Sequence, residues 1–318
     1  MSPFRVPMLL GLLLTGVAGA HAQEWPTKPV RIVVPVAAGS AGDIWARVIA
    51  PRLEQIWKQP VIVENRPGAS TIIGTEAVVN AAPDGHTLLQ VGQSYLWAKF
   101  TVKNLRFDPE TALTPVYKFV NYKLVYATNA QTQIKSMPEL VAQSKDKTIF
   151  FGGIGATGSH NVLNNIVGKK LGIRYSVVDY PGPAQVTIAL LRNDAQYAMY
   201  TPNAYRSFFE AGTLQPLAVI SDARYPDLPN VPTVRELGFT GYLPQLWAGI
   251  SAPKGTPTAI VDKIGRDIES LVADAAFRQD LEAKIGGTLL KSSPAAFAHE
   301  QQQEFKLWAD YFAVNKPE

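Results

Sequence analysis

The sequence predicts a two-lobed α/β protein, on three observations. Short β-branched runs alternate with helical patterns along nearly the whole chain, the rhythm of strand–helix–strand units with parallel pairing. The rhythm occurs twice, and each half opens with a strand, a Gly-rich turn and a helix. Close to 300 residues follow an N-terminal leader, enough for two modest lobes that each bury a core. No repeat of solenoid length is present, which argues against an array.

The elements of the first half follow in order. Residues 30–34, bounded by Pro29 and Pro35, read as a fully buried strand. From Asp43 a helix is predicted, with Trp45, Val48, Ile49, Leu53 and Ile56 on one face and Arg47, Arg52 and Glu54 elsewhere. Residues 61–63 form a second strand, ended by the turn Asn65-Arg66-Pro67-Gly68. A second helix over 71–80 stops near Pro83-Asp84-Gly85, and a third strand covers 87–91. Strand, helix, strand, helix, strand implies parallel pairing through right-handed crossovers.

In the second half, strands are predicted at 123–127, 148–151, 175–178, 195–200 and 217–220. Helices are predicted at 138–144, 161–171 and 184–192, and three more at 259–272, 275–284 and 294–312 finish the chain. Two similar halves suggest lobes facing a cleft, with linkers near 121–123 and 241–247.

The N-terminus reads as a secretory signal. Arg5 supplies a positive start, an apolar stretch runs from Met8 to Ala18, and Ala20-His21-Ala22 places small residues where a signal peptidase reads. About a dozen apolar residues fall short of the roughly 20 needed to span a bilayer. Residues 1–22 are therefore expected to be removed and the remainder to be soluble and periplasmic. Cysteine is absent, so neither disulfides nor thiolate metal sites enter the argument. The formal net charge of +4 falls by one with Arg5, and Lys and Arg are scattered rather than striped, which excludes a nucleic-acid surface.

Two Gly-rich turns carry the chemistry. The first is Val36-Ala37-Ala38-Gly39-Ser40-Ala41-Gly42-Asp43 and the second Gly152-Gly153-Ile154-Gly155-Ala156-Thr157-Gly158-Ser159-His160. Small residues let a ligand approach the backbone, and the helix start that follows presents N–H donors at a positive dipole end. Ser40, Thr157 and Ser159 add hydroxyls, and neither turn carries Lys or Arg, so an anion would be held by neutral donors. The bland alternative is that each turn only packs helix on strand, with Asp43 or Ser159 as an N-cap.

Other constellations weigh less. Gly153-Ile154-Gly155-Ala156-Thr157-Gly158 spells a dinucleotide fingerprint with Asp179 about 20 residues on, but it lies in mid-chain in an exported protein. No G-x-S-x-G elbow and no phosphate loop occurs. His86, His160 and His299 show no metal-ligand spacing, so neither a metal nor a cofactor is expected. Ser159 beside His160 invites a nucleophile–base reading, although neighbours on a helix start point apart. Trp45, Tyr95, Trp97, Tyr180, Tyr200 and Trp247 fall near strand ends, turns or a linker, where rings line clefts for organic acids; Trp45, on the apolar stripe, belongs to the core.

Several stretches in order resemble the Bug-type family of periplasmic solute receptors of tripartite tricarboxylate transporters. They are Trp25-Pro26-Thr27-Lys28-Pro29-Val30, Pro60-Val61-Ile62-Val63-Glu64-Asn65-Arg66-Pro67-Gly68-Ala69, Pro83-Asp84-Gly85-His86-Thr87, Gly158-Ser159-His160, Leu228-Pro229-Asn230-Val231-Pro232-Thr233 and Ala252-Pro253-Lys254-Gly255-Thr256-Pro257. The resemblance covers nearly the whole mature chain. It implies a Venus-flytrap of the type II periplasmic-binding class, with one lobe from residues 23–121 and 244–318 and the other from 122–243.

The resemblance also implies that the two loops grip a ligand carboxylate, through Ala38, Gly39, Ser40, Ala156, Thr157, Ser159 and His160. Ser94 would line the cleft, joined by Tyr200, Thr201 and Trp247 at a strand end and a linker. Two departures stand out. The first loop, commonly Pro-Pro-Gly-Gly, is Ala37-Ala38-Gly39-Ser40, which adds a hydroxyl. A segment commonly ending Tyr-Lys-Gly or Tyr-Arg-Gly is Tyr180-Pro181-Gly182, which removes a cation and leaves the ligand's far end undefined.

The expected function is capture of a small organic carboxylate, an aromatic acid or a dicarboxylate, by a monomeric receptor without chemistry. Its partners would be membrane transporter subunits. The alternatives are an exported hydrolase using Ser159 and His160, or a ligand sensor for a signalling partner.

Overall fold

The computed structural model describes residues 25–155 and 158–315. The expected signal segment at 1–22, and Ala156 and Thr157 among the expected ligand contacts, lie outside the described residues.

Strand β1 (Val30–Val34) is buried at every position but Arg31, as a central strand covered on both faces must be. Helix α1 (Ala41–Trp57) begins two residues before Asp43, because Ser40 is the N-cap and its Oγ accepts the Asp43 N–H at 3.4 Å. Trp45, Ile49 and Leu53 are buried as expected, but Ile56 is 38% exposed. Trp57, four residues past Leu53, takes the inward position, and its Nε1 donates to Asp267 at 2.7 Å.

Strand β2 (Val61–Asn65) and helix α2 (Ile72–Val79) lead to β3 (Thr87–Gly92), and both β2 and β3 pair with β1 in parallel. Helix α3 (Gln93–Thr101) starts directly on β3, and β4 (Leu113–Tyr122) follows. Neither was expected. Helix α3 is apolar on most sides with no polar face to set a period, and Pro115 and Lys118 break the strand pattern of β4.

The chain then enters a second sheet. Its elements are β5 (Val125–Asn129), α4 (Met137–Asp146), β6 (Phe150–Ile154), α5 (Ser159–Lys170), β7 (Ser176–Tyr180), α6 (Pro183–Arg192), β8 (Tyr197–Tyr200), α7 (Pro202–Glu210) and β9 (Leu214–Val219). They stack in the order β7-β6-β8-β5-β9. Strand β5 starts two residues later than expected, since the Lys123 N–H donates to Gly286 in the crossing between sheets.

The return to the first sheet is β10 (Trp247–Pro253), another strand the sequence hid behind Gly249 and Pro253. It lies antiparallel between β3 and β4. Helices α8 (Thr258–Ala273) and α9 (Ala275–Ile285), strand β11 (Gly287–Leu289) and helix α10 (Pro294–Val314) complete the fold. The first sheet therefore reads β11-β4-β10-β3-β1-β2.

Each sheet has its own core. Val30, Trp45, Ile49, Phe119, Ile250, Ile264 and Leu281 pack around the first. Tyr126, Phe151, Leu163, Tyr197 and Phe239 pack around the second, and Trp97 of α3 and Trp308 and Phe312 of α10 join them there. The Trp97 and Trp308 rings meet edge to face at 4.9 Å, so α3 and α10 brace one sheet's core against the other. Among the described residues no helix is long and apolar enough to cross a membrane.

Candidate functional site

Strands β1, β3, β6 and β8 end at a common cleft, and the helices that follow them start there. Between the sheets lies a cavity walled by Ser40, Gly42, Thr71, Gln90, Gln93 and Ser94 from one side and Ser159, His160, Tyr200 and Thr201 from the other. Tyr122, Leu246 and Trp247 close it where the chain crosses between sheets. An outer compartment shares Ser40, Thr71, Ser94, Ser159, His160 and Tyr200 and reaches Ser70, Gly155 and Tyr180. Among the described residues, no Lys, Arg, Asp or Glu lines either space.

The start of α1 is held from beneath by Asp43. Its carboxylate accepts from the Gly39 N–H at 2.9 Å, Arg47 Nε at 2.9 Å and Asn65 Nδ2 at 2.9 Å. Burial alone would raise its pKa, but these donors outweigh that cost and hold it below the usual carboxylate range. Satisfying Asp43 turns the Gly39 amide away from the cavity. Ala38 and Gly39, expected as ligand contacts, line an adjoining groove with Gly182, Asn203 and Lys284, which shares Ala41, Tyr200 and Thr201 with the cavity. Ser40 does reach the cavity, and the first turn of α1 presents its amide ends there.

The start of α5 is capped by Gly158, and Ser159 is the first helical residue rather than a cap. The loop before it is pinned by Asn161, whose Nδ2 donates to the Gly155 carbonyl at 2.8 Å and to Asp179 Oδ1 at 2.7 Å. Asp179 is thus taken by a loop-fixing bond. Asn161 also fills the space beside Gly153, where a Cβ would lie 2.2 Å from its Oδ1. The dinucleotide spelling is a packing device.

Ser159 and His160 both line the cavity. The His160 ring stacks on Tyr200 with centroids 5.1 Å apart and planes 18° apart. Enclosure in the cleft lowers the His160 pKa to about 4, so the ring is neutral at ordinary pH. Burial pushes the Tyr200 hydroxyl up to about 12, and the nearby backbone N–H of Ala41 draws it down.

The aromatics divide between wall and core. Trp45 stacks on Phe119 at 4.8 Å and Trp97 packs on Trp308, so both are core. Tyr95 and Trp247 stand at the inner wall and Tyr180 at the outer compartment. Sequence reasoning missed Thr71, Gln90 and Gln93. The available signal was Gln90, a polar residue set between Leu89 and Val91 in strand β3, and Gln93-Ser94 directly after the strand. Among the described residues, no group of three or more His, Asp or Glu side chains is placed to hold a metal ion.

Two α/β sheets joined by crossing strands, with helix starts aimed into the cleft between them, define a periplasmic-binding-protein fold. Residues 45–316 match the family model described as the tripartite tricarboxylate transporter family receptor, and the chain belongs to that family. It is similar to the periplasmic binding protein BugD, at 28% identity and a TM-score of 0.84 over 92% of this chain and 99% of that one. An R. palustris protein solved with adipate superposes at a TM-score of 0.84 and 26% identity, over 91% and 98% of the two chains. MatC from Rhodopseudomonas palustris, solved with bound malate, gives 0.83 and 25%, over 90% and 99%. The expected Bug-type receptor fold is therefore borne out, and these neighbours are binding proteins.

Proposed function

We propose that this chain is an exported, periplasmic receptor that closes its two lobes on a small organic carboxylate and delivers it to a tripartite transporter, without transforming it. The observation that carries this reading is the cleft itself. It has the neutral hydroxyls and amides of two helix starts, Ser40 and Gly42 on α1 and Ser159 and His160 on α5, and no acidic side chain that would repel an anion. Helix starts favour negative charge, and donors without a fixed cation hold it reversibly. The crossings at 121–123 and 241–247 would serve as the hinge between a lobe of residues 23–121 and 244–318 and a lobe of residues 122–243. That adipate and malate occupy similar proteins supports an aliphatic acid as readily as an aromatic one.

Thermal-shift screening tests the reading, because a ligand that binds only the folded state raises its melting temperature. At least one acid among malate, adipate, nicotinate and benzoate should raise it in a concentration-dependent way, with no turnover product. Silence toward every carboxylate, together with a response to sugars or cations, would sink the proposal.

A further inference from the structure

At the inner end of the cavity, a carboxylate stands behind the wall. Glu304 of α10 accepts from Trp247 Nε1 at 2.9 Å and from Gln93 Nε2 at 2.6 Å, and both donors belong to residues that line the cavity. Lys118, held by Glu300 at 2.6 Å, lies over the Trp247 ring at 5.7 Å and balances the buried charge. Burial pushes the Glu304 carboxyl up, while Trp247, Gln93 and Lys118 draw it back toward the ionised form.

A carboxylate only accepts hydrogen bonds, so Glu304 fixes which way the Gln93 amide faces. Nε2 must turn to Glu304, since the reverse orientation would set two acceptors against each other. Oε1 is then the atom left over, and in this fully buried residue it has no partner. Gln90 repeats the pattern. Its Nε2 donates to Val91 at 3.3 Å and its Oε1 is likewise buried without a partner, beside Gly42 of α1. Two unpartnered acceptors therefore belong to residues that line the space, and among the described residues no Lys or Arg lines it.

We propose that Glu304 makes the inner end of the cavity an acceptor site, so that the preferred ligand carries an uncharged hydrogen-bond donor, an amide or a hydroxyl, opposite its carboxylate. This rests on the carboxylate-receptor reading and names the chemistry at the ligand's far end. A donor there satisfies Gln93 and Gln90, whereas a second ionised carboxylate faces their oxygens. Glu304 acts through Gln93 and Trp247 and is a positioning residue.

The test is calorimetric titration of the mature chain at pH 7.5 with two matched pairs, succinate against succinamate and glutarate against glutaramate. In one pair the half-amide should bind at least about tenfold more tightly than the dicarboxylate. In Glu304→Gln the side chain can both donate and accept, Gln93 is free to turn, and the ratio should fall toward one. Gln93→Met removes the acceptor directly and should flatten the same ratio, which keeps the proposal open to refutation if Glu304→Gln fails to fold. A merely structural role would weaken both members of a pair alike and leave the ratio intact.

A dicarboxylate bound as tightly as its half-amide by the parent protein, or a ratio unchanged in the folded variants, overturns the acceptor assignment alone. No binding by any of the four probes, together with no melting shift from any other organic acid, overturns the carboxylate reading on which it rests.

Discussion

The His160 ring of helix α5 stacks on the Tyr200 ring at the end of β8, with centroids 5.1 Å apart and planes 18° apart. The Tyr200 hydroxyl lies near the backbone N–H of Ala41, the first residue of helix α1 on the first sheet. Tyr200 therefore stands between the two helix starts that wall the cleft.

Tyr200→Phe keeps the ring and removes the hydroxyl beside the Ala41 N–H. A polar contact of this kind, if made across the closed cleft, contributes about 1 kcal/mol, roughly a fivefold change in the balance of closed and open forms. Small-angle scattering of the ligand-free variant should show a larger radius of gyration than the parent. Identical scattering curves would mean that the contact does not govern closure.

His160 gives a pH dependence with a definite sign. Its pKa is about 4 in the folded protein, against an ordinary value of 6.5. Between those values the unfolded chain holds a proton that the native state lacks, so native stability falls as pH falls. The stabilising contribution is complete above pH 6.5 and lost by about pH 4. Glu304, whose pKa is raised, acts in the opposite direction, so the parent is best compared with His160→Gln. Urea unfolding should show the variant gaining on the parent by up to about 3 kcal/mol across that window. A constant difference would count against a buried neutral imidazole.

Asp43→Asn removes the charge that gathers Gly39, Arg47 and Asn65 beneath α1. The loss should be about 1–3 kcal/mol at pH 7, since Arg47 is half-exposed and retains water. The Asp43 pKa is lowered in the folded state, so its contribution is present above the ordinary value of 3.8 and lost as pH falls through the folded value. Parent and variant stabilities should therefore converge in acid. Parallel curves down to pH 2 would contradict the assignment.

Gly158→Ala and Gly182→Ala should behave differently. A Cβ at Gly158 would lie 2.0 Å from the Ile154 carbonyl oxygen, whereas one at Gly182 meets only ordinary contacts at 3.5 Å. The first should destabilise by about 1–3 kcal/mol and weaken ligand binding by displacing Ser159, and the second should do neither. Melting temperatures and titrations of the two variants check this, and equal effects would refute the steric account.

Much of the fold was legible because local rules and tertiary demands agree. The parallel units on β1, β2 and β3 and the helices of the second half other than α7 were read within a few residues. Strands β4 and β10 were not, because Pro115, Lys118, Gly249 and Pro253 interrupt the pattern that marks a strand; their place is set by each other and by β3. At the site, Ser40, Ser94, Ser159, His160, Tyr200, Thr201 and Trp247 were named from sequence and line the cavity, while Ala38 and Gly39 line the groove that adjoins it.

By itself the sequence determined an α/β chain of two lobes, two Gly-rich helix starts without a cation, and a family. Those follow from composition and from patterns of a few neighbouring residues. Only the tertiary structure decided which atoms of those turns face the cleft and what stands at its far end. Asp43 claims the Gly39 amide over four residues, but Glu304 orients Gln93 across 211. A hydrogen bond of the second kind leaves no trace in local spacing, because its donor and acceptor meet only after both sheets have folded.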